Sequence, residues 1–279
     1  MTKVLLEGLA FPEGPRWHEG RLWFSDMHTQ RVLALDLEGN LETICEVPGD
    51  PSGLGWLPDG RLLIVSMRDR RLLRLEASGL EEVADLRALA SCHCNDMVVD
   101  RHGNAFVGNF GYDLHEPGSE PCTAELIRVS PDGTASIEAR DLAFPNGTVI
   151  TPDGGTLIVA ESMAARLTAF DLLENGKLDQ RRDWAVLEGA VPDGICLDAE
   201  GAIWVASPVS GTVFRVHEGG EVSERISVST QPFACMLGGA DGRTLFIATA
   251  ASSQPEACRA ERTGRIEYTR VEVPGAGLP

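Results

Sequence analysis

Residues 192–206 read Pro192-Asp193-Gly194-Ile195-Cys196-Leu197-Asp198-Ala199-Glu200-Gly201-Ala202-Ile203-Trp204-Val205-Ala206. The stretch contains a short apolar segment, a Glu-Gly pair typical of a hairpin turn, and a second apolar segment. The same order of features recurs six times along the chain. The residues equivalent to Asp193 in the six repeats, in chain order and with Asp193 itself included, are Glu13, Ser52, Asn95, Asn146, Asp193 and Phe233. These positions lie 39 to 51 residues apart, a period typical of propeller blades.

Six repeats of short strands predict an all-β protein, a six-bladed β-propeller formed by a single domain over residues 1–279. No segment longer than one turn has the apolar spacing of a helix. The first repeat begins with its innermost strand, so residues 3–7 are left over, and the last repeat lacks an outer strand. We therefore predict that residues 3–7 pair with residues 265–270. This pairing of the N-terminal strand with the last blade closes the ring and removes exposed strand edges.

Charge and composition exclude several classes of partner. The 279 residues include 24 Lys and Arg against 42 Asp and Glu, for a formal net charge of −18. Such an acidic chain repels phosphate groups, so we expect neither nucleic acid nor a membrane surface as a partner. No apolar run approaches the ~20 residues of a membrane span, and no secretory signal is evident. Seven irregularly spaced cysteines favour reduced thiols in a cytoplasmic protein, which we expect to be a monomer or a small homo-oligomer.

The repeated position predicts a metal centre. In a propeller the innermost strand of each blade lines the central channel, and this position lies at the channel mouth. Four of its six occupants offer oxygen ligands: Glu13, Asn95, Asn146 and Asp193. Two carboxylates and two amide carbonyls form the kind of all-oxygen site that hard divalent cations prefer. The alternative is that Asn and Asp stand there as turn formers, an explanation that does not cover Glu13.

Two long segments between strands should border the same mouth. Residues 109–124 of the third repeat include Phe110 and Tyr112, and residues 251–264 belong to the sixth repeat. Long loops beside a site often act as lids or determine specificity. For residues 251–264, an insertion without function is an equally open interpretation. The histidines other than His93 are scattered, and we interpret most of them as surface residues.

Several segments resemble the SMP-30/gluconolactonase family, which includes regucalcin and bacterial sugar lactonases. The segments are Phe11-Pro12-Glu13-Gly14-Pro15-Arg16-Trp17, Cys94-Asn95-Asp96, Phe144-Pro145-Asn146-Gly147 and residues 191–206, within a match from about residue 6 to 272. The resemblance implies a six-bladed propeller with one divalent cation in its channel and the hydrolysis of lactones. It also implies that Glu13, Asn146 and Asp193 bind the cation directly and that Asn95 completes the site, directly or through water. Asp193 matches the general base.

One departure from the family bears on the substrate. Sugar lactonases of the family often have an Arg two residues before the Asn that is Asn95 here, whereas this chain has His93. Phe110 and Tyr112 also make the following loop more aromatic than a sugar site would be. We expect the substrate to contact Asn95, His93, Phe110 and Tyr112, with His93 orienting it or carrying a proton. These residues leave room for a less polar lactone or an ester.

The sequence thus predicts a metal-dependent hydrolase that opens the ring of a small-molecule lactone, either a sugar lactone or a less polar one. We expect one divalent cation as cofactor, calcium first, with zinc, magnesium and manganese as alternatives. Motifs typical of serine hydrolases, zincins, kinases and dinucleotide-binding enzymes are missing. Two other functions stay open. One is a promiscuous esterase or phosphotriesterase on the same metal site, and the other is a non-catalytic calcium-binding propeller.

Overall fold

The computed structural model describes residues 2–277, which form six four-stranded antiparallel sheets. The first strand, β1 (Lys3–Leu9), belongs to the last sheet. Blade 1 then consists of β2 (Pro12–His18), β3 (Arg21–Asp26), β4 (Arg31–Leu35) and β5 (Leu41–Glu46). Blade 2 consists of β6 (Pro51–Trp56), β7 (Leu62–Ser66), β8 (Arg71–Glu76) and β9 (Gly79–Asp85). Blade 3 consists of β10 (Cys94–Val99), β11 (Ala105–Asn109), β12 (Ala124–Val129) and β13 (Ala135–Leu142).

The second half of the chain repeats this arrangement. Blade 4 consists of β14 (Pro145–Ile150), β15 (Thr156–Glu161), β16 (Arg166–Leu172) and β17 (Leu178–Val186). Blade 5 consists of β18 (Ile195–Leu197), β19 (Ile203–Ser207), β20 (Thr212–Val216) and β21 (Val222–Ser227). Blade 6 consists of β22 (Gln231–Gly238), β23 (Thr244–Ala250), β24 (Gly264–Arg270) and, as its outer strand, β1.

The ring closes as predicted, because β1 pairs antiparallel with β24. Lys3 lies opposite Tyr268 and Glu7 lies opposite Arg265. The innermost strands β2, β6, β10, β14, β18 and β22 contact one another in sequence, and β22 contacts β2 again. The six-bladed propeller expected from the repeats is therefore confirmed.

The core lies between neighbouring blades. Trp204 of blade 5 and Phe246 of blade 6 are fully buried in one apolar cluster, and Phe106 of blade 3 and Val159 of blade 4 belong to another. Apolar residues on the middle strands of each sheet thus pack against the next sheet. Burial of this apolar surface is the main force that holds the blades together.

One helix within the described residues was not predicted from the sequence. α1 (Pro255–Glu261) lies in the long segment between β23 and β24 and buries Cys258. Seven residues make only two turns, too few for an apolar period to stand out. No helix among residues 2–277 is long and apolar enough to cross a membrane. All seven cysteines are unpaired.

Candidate metal centre

The innermost strands begin in a common register. Pro12 lies opposite Asp26, and the equivalent pairs in blades 2, 3, 4 and 6 are Pro51–Ser66, Cys94–Asn109, Pro145–Glu161 and Pro232–Thr249. In blade 5 the strand begins later, yet the Asp193 amide donates a 2.9 Å hydrogen bond to the carbonyl oxygen of Ala206 on β19. The same end of the channel therefore carries Glu13, Ser52, Asn95, Asn146, Asp193 and Phe233.

A β-bulge or similar irregularity follows at once in five of these strands. The register shifts directly after Glu13 in blade 1, after Cys94 in blade 3 and after Pro145 in blade 4, with similar shifts in blades 2 and 6. A bulge breaks the alternation of side chains and re-aims the residue at which it occurs. The strands are thus irregular where the candidate ligands stand.

Gly147 holds two candidate ligands together. Its amide donates a 3.1 Å hydrogen bond to the Asp193 carbonyl oxygen. A Cβ atom at Gly147 would lie 2.4 Å from the Ile195 nitrogen and 2.7 Å from the Asp193 carbonyl oxygen. Only glycine allows this close backbone approach. The glycine after Asn146 therefore belongs to the packing of blade 4 against blade 5.

The two asparagine side chains are held by their amide nitrogens. Asn95 Nδ2 donates to the carbonyl oxygen of Pro145 at 3.2 Å. Asn146 Nδ2 donates to Ser162 Oγ at 3.3 Å, and that hydroxyl donates in turn to the carbonyl oxygen of Pro192 at 2.7 Å. These bonds orient the side chains through their nitrogens, and the side-chain oxygens of both asparagines are left to accept from, or coordinate, another group.

The two carboxylates lie in an environment that disfavours two negative charges. Burial and then the negative charge of Glu13 raise the pKa of Asp193 well above its ordinary value. Burial raises the pKa of Glu13 to about 8, with a smaller contribution from Asp96 and an opposing one from Arg16. Asp193 Oδ1 is buried and has no hydrogen-bond partner. A divalent cation between the carboxylates would relieve their repulsion and give Oδ1 a partner.

The donor set therefore fits a hard divalent cation. It combines two carboxylates with two amide oxygens, and ligands of this kind suit calcium and magnesium. Among residues 2–277 no group of three or more His, Cys, Asp or Glu side chains is arranged to hold a metal ion. A metal centre at the channel mouth would accordingly depend on Asn95 and Asn146 as well as on the two carboxylates.

Two residues of the centre were missed by the sequence analysis. Arg16 Nη2 lies 2.8 Å from Asp96 Oδ1, and both side chains are buried. The same nitrogen donates to the Met97 carbonyl oxygen at 2.7 Å, and Nη1 donates to the Pro15 carbonyl oxygen at 2.9 Å. A charged residue three positions after Glu13, inside an innermost strand, was the signal that could have revealed this pair.

Aromatic side chains form one wall of the mouth. The rings of Phe110 and Phe144 stack at 4.7 Å between centroids, and Tyr112 meets Phe144 edge-on at 6.1 Å. The His93 ring lies 6.0 Å from Phe110, also edge-on, and burial lowers the pKa of His93. The structure thus brings the predicted substrate-contacting residues His93, Phe110 and Tyr112 together and adds Phe144 to them.

The sixth of the six equivalent positions is apolar. Phe233 stands where four other blades have a candidate oxygen ligand, and its ring contacts Phe11 at 4.7 Å. Both belong to a buried cluster with Met27, Met67 and Cys258 of α1, and Phe110 packs against it. Both long loop segments therefore border the mouth, as predicted. The residues of this cluster offer carbon surface to a substrate.

His28 differs from the expectation for the scattered histidines. Its side chain is buried, because the short turn that follows β3 places it against Phe11. The interpretation as a surface residue was wrong for His28, while His102 is half-exposed as expected. A single histidine in a turn belongs to no periodic pattern, so its burial could not be predicted from the sequence.

A cavity of about 250 Å³ lies at the other end of the channel. Residues from the ends of the innermost strands line it, among them Val99, Ile150 and Leu197, together with Arg16. The candidate ligands do not line this cavity. The cavity is therefore distinct from the mouth at which Glu13 and Asp193 lie.

This chain resembles several known proteins over most of its length. The chain is 27% identical to 6-deoxy-6-sulfogluconolactonase of Pseudomonas putida, over 99% of this chain and 96% of that protein. It is 26% identical to regucalcin of Gallus gallus, over 88% of this chain and 87% of that protein. The structure of a gluconolactonase from Xanthomonas campestris superposes with a TM-score of 0.75 at 25% identity, covering 98% of this chain and 88% of that one.

The family model described as "SMP-30/Gluconolactonase/LRE-like region" matches residues 11–251, which include all four candidate ligands. The matched range begins just before Glu13 and ends just after β23, so it covers the innermost strands of all six blades. The chain belongs to the SMP-30/gluconolactonase/LRE-like family.

Proposed function

We propose that this protein is a divalent-cation-dependent lactonase, a carboxylic ester hydrolase that opens the ring of a small-molecule lactone. The observation that carries the proposal is the pair of buried carboxylates, Glu13 and Asp193, with one unpartnered oxygen on Asp193. Relatives of similar length named for lactone hydrolysis support the reaction class. Glu13, Asn95, Asn146 and Asp193 would hold the cation.

The proposed chemistry assigns a role to each group. The bound cation supplies Lewis-acid polarisation of the lactone carbonyl and stabilises the negative charge that develops on its oxygen. Asp193 would accept a proton from the attacking water and so raise its nucleophilicity. Asn95 and His93 orient the substrate. Burial raises the pKa of Asp193, which makes its carboxylate a stronger base than that of an exposed aspartate.

The substrate wall favours a lactone that carries an apolar part. Phe110, Tyr112 and Phe144 offer ring faces and edges, and Phe233 and Phe11 extend the carbon surface around the mouth. A sugar lactone, whose hydroxyls need hydrogen-bond partners, would find few along this wall. We further propose calcium as the physiological cation, with magnesium, manganese and zinc as alternatives, and a cytoplasmic location.

The proposal is tested with metal-free protein and a panel of substrates. The panel contains glucono-1,5-lactone, an aliphatic γ-lactone, a nitrophenyl ester and paraoxon, each with chelator and with added calcium, magnesium, manganese or zinc. We expect cation-dependent opening of at least one lactone, with the spontaneous rate subtracted. Hydrolysis of paraoxon or the ester alone would instead indicate an esterase. Tight calcium binding without turnover of any substrate would indicate a binding protein.

A further inference from the structure

Two buried side chains near the candidate centre face each other. His28 Nδ1 lies 3.9 Å from Asp50 Oδ2, and each side chain is only 4% exposed. Asp50 Oδ2 pairs with Arg68, whereas His28 Nδ1 has no hydrogen-bond partner. A buried imidazole nitrogen is rarely left unpaired, so this one calls for a functional explanation.

The surrounding chain fixes both side chains. The His28 ring stacks on Phe11 with 5.3 Å between centroids, and the Met27 amide donates to the Phe11 carbonyl oxygen at 3.0 Å. Asp50 Oδ2 lies 2.7 Å from Arg68 Nε, and Oδ1 accepts from Gln30 Nε2 at 3.2 Å. Asp50 is also held at a φ of +62°, in the left-handed region. Such a conformation persists only where its surroundings enforce it.

The carboxylate is ionised in this setting. Burial acts to raise the pKa of Asp50, but His28 and Arg68 outweigh burial, so the pKa lies below its ordinary value. A carboxylate that faces Nδ1 favours the tautomer with the proton on that nitrogen. Nε2, on the far side of the ring, is then the nitrogen that takes up a second proton from solvent and can donate it.

His28 lies at the same mouth as the candidate ligands. Phe11 stacks on the imidazole and precedes Glu13 by two residues. It also contacts Phe233, which occupies in blade 6 the position that Glu13 occupies in blade 1. The turn that carries His28 follows β3, whose last residue, Asp26, pairs with Pro12 at the start of β2. The imidazole therefore borders the apolar side of the mouth.

We propose that His28, oriented by Asp50, is the general acid that protonates the leaving alkoxide when the lactone ring opens. This inference rests on the proposed lactonase function. His93 is the weaker candidate for this role, because no carboxylate among residues 2–277 forms an ion pair with it, whereas Asp50 faces His28. The 3.9 Å separation is longer than a hydrogen bond, and catalytic hydrogen bonds often tighten only when substrate binds.

Other charged groups of neighbouring elements also act on this histidine. Arg68 of blade 2 contacts the same carboxylate as His28 and opposes a second positive charge. His93, His115 and Asp113 belong to blade 3, where burial lowers the pKa of His115, Asp113 opposes that effect, and the neighbouring His28 and His93 add to it. α1 packs against the turn that carries His28, and it bears Glu256, Arg259 and Glu261.

The proton balance closes with water as the only other reactant. Water attacks the carbonyl carbon and gives one proton to Asp193, while its oxygen forms the new C–O bond. The ring C–O bond then breaks, and the departing oxygen takes the proton from His28 Nε2. Asp193 releases its proton to solvent and His28 regains one from solvent. The immediate product is a hydroxy acid, and ionisation of its new carboxyl group gives the hydroxy carboxylate and the one net proton released.

The test compares two leaving groups in wild-type protein and in His28→Gln with calcium present. An aliphatic lactone expels an alkoxide that needs a proton, whereas a nitrophenyl ester expels a stable phenolate that does not. We expect His28→Gln to lower kcat/KM by at least about 100-fold on the lactone and by less than about threefold on the ester. Asp50→Asn should lower it in the same selective manner, by about tenfold.

The matched control is His102→Gln, since His102 is half-exposed beside the cavity at the opposite end of the channel. It should leave both rates unchanged. Calcium binding measured by calorimetry should be the same in all variants, which shows that the centre is intact even where stability falls. Equal losses on the two substrates, or no loss on the lactone, would overturn the role of His28. A wild-type protein inactive on both substrates would instead refute the proposed function.

Discussion

Arg16 and Asp96 form a buried ion pair with 2.8 Å between Nη2 and Oδ1, and it connects blade 1 to blade 3 across blade 2. Each partner stands close in sequence to a candidate ligand, Arg16 to Glu13 and Asp96 to Asn95. The pair therefore fixes two strands of the channel relative to each other. It also supplies a positive charge among three buried carboxylates, which the acidic chain otherwise lacks there.

Replacement of Arg16 by methionine should destabilise the protein strongly. Methionine keeps the stem of the side chain but leaves the Asp96 carboxylate buried and unpaired, a change that costs about 3–5 kcal/mol. The free energy of unfolding, measured by urea denaturation, gives this loss directly. The control is Arg270→Met, whose exposed pairing with Asp241 should contribute little to stability. Similar losses in both variants would contradict the importance of the buried pair.

The stability of the metal-free protein should fall as the pH rises from 5 to 8. The pKa of Glu13 is about 8 in the folded chain, against an ordinary value of 4.5, because the carboxyl is buried. The folded state thus holds a proton that the unfolded state has already lost. Stability from this group is complete below 4.5 and is lost as the pH rises through 8, by up to about 1.4 kcal/mol per pH unit.

Glu13→Gln isolates this effect from other titrating groups. Histidines with lowered pKa values, such as His93, act in the opposite direction, and they are common to both proteins. We expect urea denaturation in chelator to show a steeper loss for the wild type than for Glu13→Gln. Saturating calcium should diminish the wild-type loss, since a cation then replaces the proton. Parallel pH profiles for the two proteins would be inconsistent with the buried carboxyl.

Gly147→Ala should separate two ligands of the proposed centre. The added methyl group would lie 2.4 Å from the Ile195 nitrogen, so blades 4 and 5 must move apart. We expect a loss of about 1–3 kcal/mol in stability and at least tenfold weaker calcium binding. Gly155→Ala is the control, because its methyl group meets nothing closer than 3.5 Å. Unchanged calcium affinity in Gly147→Ala would count against a centre shared by Asn146 and Asp193.

Phe110→Ala should weaken the binding of apolar substrates selectively. The ring stacks on Phe144 and forms part of the aromatic wall, and loss of that surface should raise KM about tenfold for an aliphatic lactone. Glucono-1,5-lactone should be affected much less. Phe110→Leu, which keeps an apolar side chain, should retain most of the affinity. An equal rise in KM for both lactones would argue against a wall that contacts apolar groups.

The repeated features of the chain predicted the fold, including the pairing of residues 3–7 with the last blade. They succeeded because each repeat specifies a hairpin locally, and ring closure then follows because the first strand is left over and the last repeat lacks its outer strand. The short helix α1 was not predicted, because it buries only one residue, Cys258, and therefore has no apolar period. Local patterns identify long periodic elements well and isolated turns poorly.

The candidate ligands were predictable because they share one register of the repeat. Arg16, Asp96, Phe144 and His28 were not, because their roles depend on contacts between blades that are far apart in sequence. The side chain of His28, for example, meets Asp50 and Phe11 only after the propeller has closed around the channel. Contacts between residues that do not occupy equivalent positions in the repeats can be identified only in the folded structure.

The central claim is that Glu13, Asn95, Asn146 and Asp193 hold one cation on which lactone hydrolysis depends. Calcium titration of metal-free protein, with lactone opening followed by proton release in the same samples, tests it most directly. The account predicts one calcium ion per chain and activity that rises in proportion to occupancy. Asp193→Asn should show neither binding nor activity. Undiminished wild-type turnover in chelator, or wild-type calcium affinity in Asp193→Asn, would contradict the claim.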